Sequence, residues 1–200
     1  PIKQFKRNNN QFFEKYYFLD KFDTIKHGYT KASFKDSQNL KKYQSLKKSN
    51  FIEFPKMGFR MLENIIQKIY VNSGGILLID YGYTNSLNKN TMQSLIKHKK
   101  NEVLKNLGKA DITYLVNFKL LKEFFENKKL KNTNIVSQGF FLKKLGIQER
   151  ANQLSKKMTF KEKSSLFLRL NRLIDHKYMG KLFKVNFSYN FKNNNFIGFK

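Results

Sequence analysis

The sequence contains no cysteine, which excludes a disulfide scaffold, a thiolate zinc site, an iron–sulfur cluster and a thiol nucleophile. Its three histidines, His27, His98 and His176, lie far apart, so no local metal motif can be read and no metal is expected. Acidic residues are few, 14 against 40 Lys and Arg, giving a net charge of +26 and a pI near 10.1. Such a charge points first to nucleic acid or an anionic surface. Arginine, however, is also scarce: 35 of the basic residues are Lys and 5 are Arg, beside 23 Asn and only 3 Ala. AT-rich codons impose that bias and add Lys everywhere without selecting a function. Arg supplies the bidentate contacts to phosphates and bases. Its scarcity favours a codon-biased surface over a nucleic-acid footprint. No apolar run approaches the roughly 18 residues of a membrane span. The best, Ile76 to Ile79, follows Gly74-Gly75 and has four residues. The chain opens on Pro1 without a leader pattern, so it is expected to start inside a longer protein or after processing.

What is present suffices for a core: 200 residues, 40% apolar, with 21 Phe and 10 Tyr. Residues 1–50 read as aromatic-rich strand pieces, Ile2 to Lys6, Phe12 to Leu19 and Ile25 to Phe34, broken by Asn8-Asn9-Asn10 and Gly28. Ser37 to Asn50 reads as a long surface loop. Phe51 to Phe54 is a short strand ended by Pro55. Met61, Leu62, Ile65, Ile66 and Ile69 then share one helical face, stopped by Asn72-Ser73-Gly74-Gly75. Ile76 to Tyr81 reads as a buried parallel strand with Asp80 near its carboxyl end, the mark of an α/β unit. Helices are expected over Phe118 to Lys129, Phe140 to Ser155 with a break at Gly146, and Lys161 to Asp175. Strands are expected at Asn134 to Ser137 and Leu182 to Tyr189, and Phe196 to Phe199 closes the chain.

Asp80-Tyr81-Gly82 is the strongest chemical candidate, because ligands of open α/β sheets lie beyond the carboxyl ends of the strands. Asp80 can equally cap the following turn. Gly74-Gly75 precedes its strand, so it reads as a helix stop rather than a phosphate loop, and neither G-x-G-x-x-G nor G-x-x-x-x-G-K-[ST] occurs. His98, among Lys97, Lys99 and Lys100, reads as a neutral base or as a solvated loop residue. Gln138-Gly139 reads as a ligand-contact turn or an ordinary helix start.

Gly74-Gly75-Ile76-Leu77-Leu78-Ile79-Asp80-Tyr81-Gly82-Tyr83 resembles the GGxxLxIDYGY segment of the MidA family of class I S-adenosylmethionine-dependent methyltransferases. Further motifs follow in family order. Thr91-Met92-Gln93 with His98 is similar to TLQ…GH, and Gly108 to Thr113 with Val116-Asn117-Phe118 to GEADLT…VDF. Ser137 to Leu142 with Leu145-Gly146-Ile147 and Arg150-Ala151 is similar to TQGEFLLxLGIxxRA. Met179 to Val185 is similar to MGxLFKV, and Gly198-Phe199 to the closing GF. Pro1 to Phe5 resembles LPxxQF, and Glu53-Phe54-Pro55 is a weaker echo of ExSP. Departures are Lys97 for Gly, Lys109 for Glu, Asn117 for Asp and Phe140 for Glu.

The resemblance implies a fold that is α/β: the C-terminal part of a Rossmann-like methyltransferase sheet with an antiparallel C-terminal hairpin, residues 1–50 forming a strand and loop insertion. It implies S-adenosyl-L-methionine as cofactor, held mainly by a loop in an N-terminal half that precedes this segment. It implies methylation of an arginine in a protein substrate of the respiratory complex I type, in the bacterial cytoplasm or the mitochondrial matrix. Asp80 and Asp111 would be the carboxylates that orient a guanidinium, with Tyr81 as an aromatic wall beside it. Pro1, Gly82, Thr91, His98, Gln138 and Gly139 would lie near substrate or cofactor. The segment alone is expected to be inactive and poorly stable. Two other readings stand: a non-catalytic assembly protein derived from that fold, and a basic nucleic-acid-binding module.

Overall fold

A computed structural model describes residues 2–192 and 195–200, and Pro1 lies outside them. The chain folds as two units, residues 1–66 with 85–115 and residues 67–84 with 116–200. Both mix helices with antiparallel strands.

In the first unit, strands β1 (Lys3–Asn8), β2 (Gln11–Leu19), β3 (Ile25–Lys31) and β4 (Phe51–Phe54) make one antiparallel sheet, in the order β3-β2-β1-β4. Asn9 and Asn10 stand at φ 42° and 63° between β1 and β2. Two consecutive left-handed residues form the tight hairpin turn that matches strand twist, and Asn tolerates them. Phe5, Phe12, Ile52 and Phe54 are buried from this sheet. Tyr43, Phe54 and Phe59 pack ring against ring, with centroids 5.4–5.9 Å apart.

The stretch expected as a loop, Ser37 to Asn50, is instead largely helical: α1 (Phe34–Lys41) and a 3-10 turn at Gln44–Leu46. Ser33 caps α1, its Oγ accepting from Asp36 N at 3.1 Å. Leu40 and Leu46 bury against the sheet unit. Two apolar anchors in a polar stretch were too sparse for a periodic signal. Asp36, with its side chain 4% exposed, also receives Lys3 Nζ at 2.9 Å and Lys56 Nζ at 2.6 Å, and Lys3 meets Glu14 at 2.8 Å. A second small sheet, β7-β6-β8, is built from β6 (Gln93–Ile96), β7 (Lys99–Asn101) and β8 (Asp111–Thr113).

Helix α2 (Lys56–Asn72) follows Pro55 and ends at Ser73, which has φ 56°. The second unit then builds its sheet in the order β10-β12-β5-β9 from β5 (Gly75–Tyr83), β9 (Val116–Asn117), β10 (Lys131–Asn132) and β12 (Phe183–Tyr189), with β11 (Val136–Ser137) also on β12. The expected buried parallel strand is corrected here. From Gly75 to Tyr81, β5 pairs antiparallel with β12, and it meets β9 in parallel only at Gly82 and Tyr83. Leu77 and Ile79 remain 46% and 43% exposed. An apolar run fixes that a strand forms, but not the direction of its neighbours.

Helices α3 (Phe118–Asn127), α4 (Gln138–Lys144), α5 (Ile147–Ser155), α6 (Phe160–Ile174) and the short α7 (Met179–Leu182) complete this unit. The expected apolar face of α3 is buried through Phe118, Leu121, Phe124 and Phe125. The break expected at Gly146 divides residues 140–155 into two helices, because Gly146 takes φ 80° between α4 and α5. Thr159 and Glu162 form a reciprocal capping box on α6. Asn190 ties the strand end to the preceding helix: its Oδ1 accepts from Gly74 N and its Nδ2 donates to Ile69 O, both at 2.8 Å. Phe187, Tyr189, Phe191 and Phe196 stack beyond β12, with Phe141 on Phe199 at 5.1 Å.

Burial alone would raise the Asp36 pKa, but hydrogen bonds from Lys56, Lys3 and Ser33 outweigh it and hold the carboxyl below its ordinary 3.8. A lowered folded pKa contributes stability that is full above the unfolded value and lost as pH falls through the folded one. Urea unfolding is therefore expected to show stability declining below about pH 4. Asp36→Asn should flatten that acid limb and cost roughly 2–4 kcal/mol at neutral pH; an unchanged acid limb in this variant would assign it elsewhere. Lys97 and His98 form the β6–β7 turn at φ 48° and 61°. Lys97→Gly is expected to raise unfolding free energy by about 0.5–1 kcal/mol, read from the same titrations.

Candidate functional site

The carboxyl end of β5 carries the residues with most chemical content. Asp80 is exposed, and its Oδ1 accepts from Tyr81 N at 2.8 Å. The other lone pairs of the carboxylate face solvent and are open to a donor. Tyr81 packs its ring edge-on against Phe183, centroid to centroid 5.5 Å. This fixes the ring on the face of β5 opposite to Asp80. Gly82 allows β9 to approach: a Cβ there would stand 2.2 Å from Val116 O and 2.8 Å from the Phe118 ring. The close backbone approach inferred for Gly82 is thus made by the protein itself. A cavity of about 420 Å³ lies next to Thr84, lined also by Lys119, Lys122, Glu123, Glu126 and Ile135.

Sequence reasoning missed Lys184. It is the cross-strand partner of Asp80 on β12, so the two side chains share a face. Its Nζ donates to Lys181 O. Burial, and then the charge of Lys181, lower its pKa. Within the expected strand Leu182 to Tyr189 nothing in the pattern singles out Lys184, and only the register with Asp80 distinguishes it.

Gln138 and Gly139 belong to internal packing. The Gln138 side chain is buried and donates from Nε2 to Leu173 O at 2.9 Å. A Cβ on Gly139 would stand 2.3 Å from Ile174 O, so the start of α4 rests on the carboxyl end of α6.

In the first unit, Thr91 is a clasp. It donates from Oγ to Glu53 Oε2 and from N to Glu53 Oε1 at 3.1 Å, and its Oγ accepts from Leu115 N at 3.0 Å. Glu53, 6% exposed, also accepts from Gln4 Nε2 at 3.0 Å, and Gln4 donates to Asn90 Oδ1 at 2.7 Å. Three motif fragments distant in sequence (those of Gln4, Glu53 and Thr91) meet in this one buried cluster. His98 is exposed on the β6–β7 turn, and Asp111 is exposed on β8 opposite Leu95. Neither joins the Glu53 cluster. Pro1 lies outside the described residues. Among the described residues no group of His, Asp and Glu is placed to hold a metal ion, and no helix is long and apolar enough to cross a membrane.

The two strand-to-helix turns of the second unit, at Asn117 and Ser137, are closed by side chains that accept from Leu120 N and Phe140 N. Neither turn has the glycine spacing that lets a nucleoside lie against the backbone.

Comparison with known proteins gives the context for this arrangement. The sequence model of the family described as "Putative S-adenosyl-L-methionine-dependent methyltransferase" matches residues 1–136. The human protein arginine methyltransferase NDUFAF7, mitochondrial, is 29% identical over 124 residues, 62% of this chain and 28% of that protein. The Caenorhabditis elegans NDUFAF7 homolog, also named as a mitochondrial protein arginine methyltransferase, is 32% identical over 95 residues, 47% of this chain and 22% of that protein. Two crystal structures of Burkholderia thailandensis proteins superpose on the whole chain. One, an uncharacterised protein in its native form, has a TM-score of 0.79 at 17% identity. The other, bound to S-adenosyl-homocysteine, has a TM-score of 0.80 at 16% identity. The chain covers 54% and 52% of those two structures, about half of each, and so shares their fold over that part. With the family match extending over more than half of its length, the chain belongs to this family of S-adenosyl-L-methionine-dependent methyltransferases.

Proposed function

We propose that this chain is the carboxyl-side part of a methyltransferase with a Rossmann-like sheet, acting on an arginine of a protein substrate. The observation that carries the reading is the edge of β5. From Gly75 to Tyr81 its second edge has no strand partner among the described residues, while Leu77 and Ile79 are left substantially exposed on its faces. An apolar strand with an open edge is a template for another strand. A neighbouring strand from the remainder of the enzyme would complete the sheet. That remainder would also supply the cofactor cradle, with residues 1–50 an insertion beside it.

On this reading Asp80 orients a guanidinium. Its free lone pairs accept from the planar N–H fork, while the Tyr81 ring, pinned by Phe183, lies on the opposite face of the strand. Lys184, on the same face, spends its Nζ on Lys181 O. Arginine as the methylated group and a mitochondrial location for a eukaryotic source are supported by the names of the two curated relatives; a respiratory complex I subunit as the bearer and the matrix as the compartment rest on the motif resemblance alone.

Two measurements test this. Calorimetric titration of S-adenosyl-L-methionine into the 200-residue chain should give a Kd weaker than about 1 mM, while the protein encoded by the extended reading frame should bind with a Kd in the micromolar range. Micromolar binding by the 200 residues alone, or none by the extended protein, would defeat the proposal. In the extended protein, Asp80→Asn should lower methyl transfer to a protein substrate by about 100-fold or more with an unchanged melting temperature, since the side chain is exposed. Wild-type turnover in that variant would remove Asp80 from the site.

A further inference from the structure

The distal half of the β2–β3 hairpin holds apolar side chains that the first unit does not cover. β1 pairs with β2 only from Phe5 opposite Glu14 to Asn8 opposite Gln11. Beyond Glu14 the ribbon is two-stranded, from Lys15 opposite Tyr29 to Leu19 opposite Ile25. Tyr16, Tyr17 and Phe18 are exposed along it, Leu19 is 62% exposed, and Phe22 in the turn is 74% exposed. Successive strand residues point to opposite faces. Tyr16 and Phe18 therefore stand on one face of the ribbon, and Tyr17 and Leu19 on the other.

The rings are held in place. A Cβ on Gly28 would stand 2.8 Å from Tyr16 Cζ, so Tyr16 lies against bare backbone, with the Phe18 ring 5.7 Å from it. On the opposite face Tyr17, His27 and Tyr29 follow edge to face at 6.3 and 6.2 Å. Position along the ribbon sorts the side chains by polarity. Phe22, Leu19 and Ile25 are at the tip, Tyr16 and Tyr17 come next, and Lys15 stands four residues, about 13 Å, behind Leu19. Residues 15–31 hold four Lys against two Asp. Asp20 is spent within the turn: its Oδ1 accepts from Phe22 N at 2.9 Å and Thr24 N at 3.0 Å, and its Oδ2 meets Lys26 Nζ at 2.7 Å. Asp23 stays exposed at φ 56°.

This arrangement selects the occupant. The flat surface of another protein covers one face of a ribbon, whereas here apolar side chains look out from both faces and from the turn. A fluid apolar phase surrounds such a tip on every side. The order along the ribbon, hydrocarbon then Tyr then Lys, is also the depth order of a bilayer surface: an acyl phase, an interface where amphipathic rings sit, and anionic headgroups that attract Lys. Single-stranded nucleic acid would need cations beside its phosphates along the whole platform, and Phe22, Leu19 and Ile25 offer none. Asp23 limits entry to headgroup depth, since a charge in the hydrocarbon is costly.

We propose that the tip of the β2–β3 hairpin is a peripheral membrane anchor. Phe18, Leu19 and Phe22 enter the surface of an anionic bilayer, Tyr16 and Tyr17 sit at the headgroups, and Lys15 and Lys21 meet their phosphates. Such an anchor lies in the interface and spans nothing. Neither Asp80 nor methyl transfer enters it.

The chain has no Trp, so Phe22→Trp supplies a single fluorescent reporter, and Phe160→Trp, at an 89% exposed position followed by Lys161 in the second unit, supplies its control. The 200-residue chain is mixed, in about 0.1 M salt, with vesicles of phosphatidylcholine containing about 30% phosphatidylserine. Emission of the Phe22→Trp variant should move to shorter wavelength and be quenched by brominated lipid, and that of Phe160→Trp should do neither. Leu19→Ser and Phe22→Ser should each weaken co-sedimentation with the vesicles about tenfold, and Phe160→Ser by less than about twofold. Sedimentation without a change in the Phe22→Trp emission would be adsorption by diffuse charge and would overturn the proposal, as would equal responses at positions 22 and 160 or no sedimentation at all. A change in that emission with an eight-residue oligothymidylate but not with vesicles would make the hairpin a nucleic-acid surface instead. Short-wavelength emission of Phe22→Trp in the extended protein before vesicles are added would mean that the remainder of the enzyme covers the tip, and would equally overturn it. If Leu19→Ser loses strand content by circular dichroism, Phe22→Ser, in the turn, decides.

Discussion

The antiparallel ladder between β5 and β12 is the constraint on which the second unit depends. Seven residue pairs, from Gly75 opposite Tyr189 to Tyr81 opposite Phe183, fix which side chains of each strand share a face. Every other feature of that unit is hung on them. β10 and β11 add to the far side of β12, and the buried side chains of Asn186 and Ser188 carry hydrogen bonds across to Thr133 O and Asn132 Oδ1. The ladder sets Asp80 opposite Lys184 and Tyr81 against Phe183. A slip of one residue would put Asp80 and Tyr81 on exchanged faces. The aromatic stack of Phe187, Tyr189, Phe191 and Phe196 makes such a slip costly, because it would turn Phe187 and Tyr189 away from their partners.

The same strand explains why local pattern and true neighbourhood diverged. The apolar run Ile76 to Ile79 and its acid were legible, and so were the helices whose apolar residues recur at helical spacing, such as α3 and α6. Strand direction was not, because hydrophobicity records burial and not the polarity of a partner. The small sheet of β6, β7 and β8 was not read from pattern either. Its strands are three or four residues long, too short for alternation to register, and its first turn is built by Lys97 and His98 rather than by Gly or Asn. α1 was hidden for a related reason: its capping Ser33 and single buried Leu40 are a minimal signal inside a Lys- and Ser-rich stretch.

Motif residues were easier to find than to interpret. Gln4, Glu53 and Thr91 come from three separate fragments, and the structure gives them one shared task, satisfying a buried carboxylate. Gln138, Gly139 and Gly82 likewise answer to packing: a side-chain amide on a helix-end carbonyl, and two places where a Cβ would strike a carbonyl oxygen. Motif residues that serve packing stay fixed for reasons unrelated to chemistry. Asp80 differs because its single hydrogen bond is to the next backbone N–H, and its exposed carboxylate does not stabilise any neighbouring element. A residue that the fold does not need, at the end of the strand where α/β sheets place ligands, is better explained by what it can bind.

Charge follows the same logic once it is divided by location. A surplus of 26 positive charges spread evenly would say only that the surface is solvated and Lys-rich. Asp36 gathers two lysines and is itself held ionised by them, so part of the basic complement is structural. Lys6, Lys15 and Lys89 are different: they line one cavity and have no carboxylate partner among the described residues. Codon bias can raise the number of lysines, but it does not select which of them go unpaired around a common void. The placement of the lysines rather than their total therefore separates those that serve the fold from those that do not.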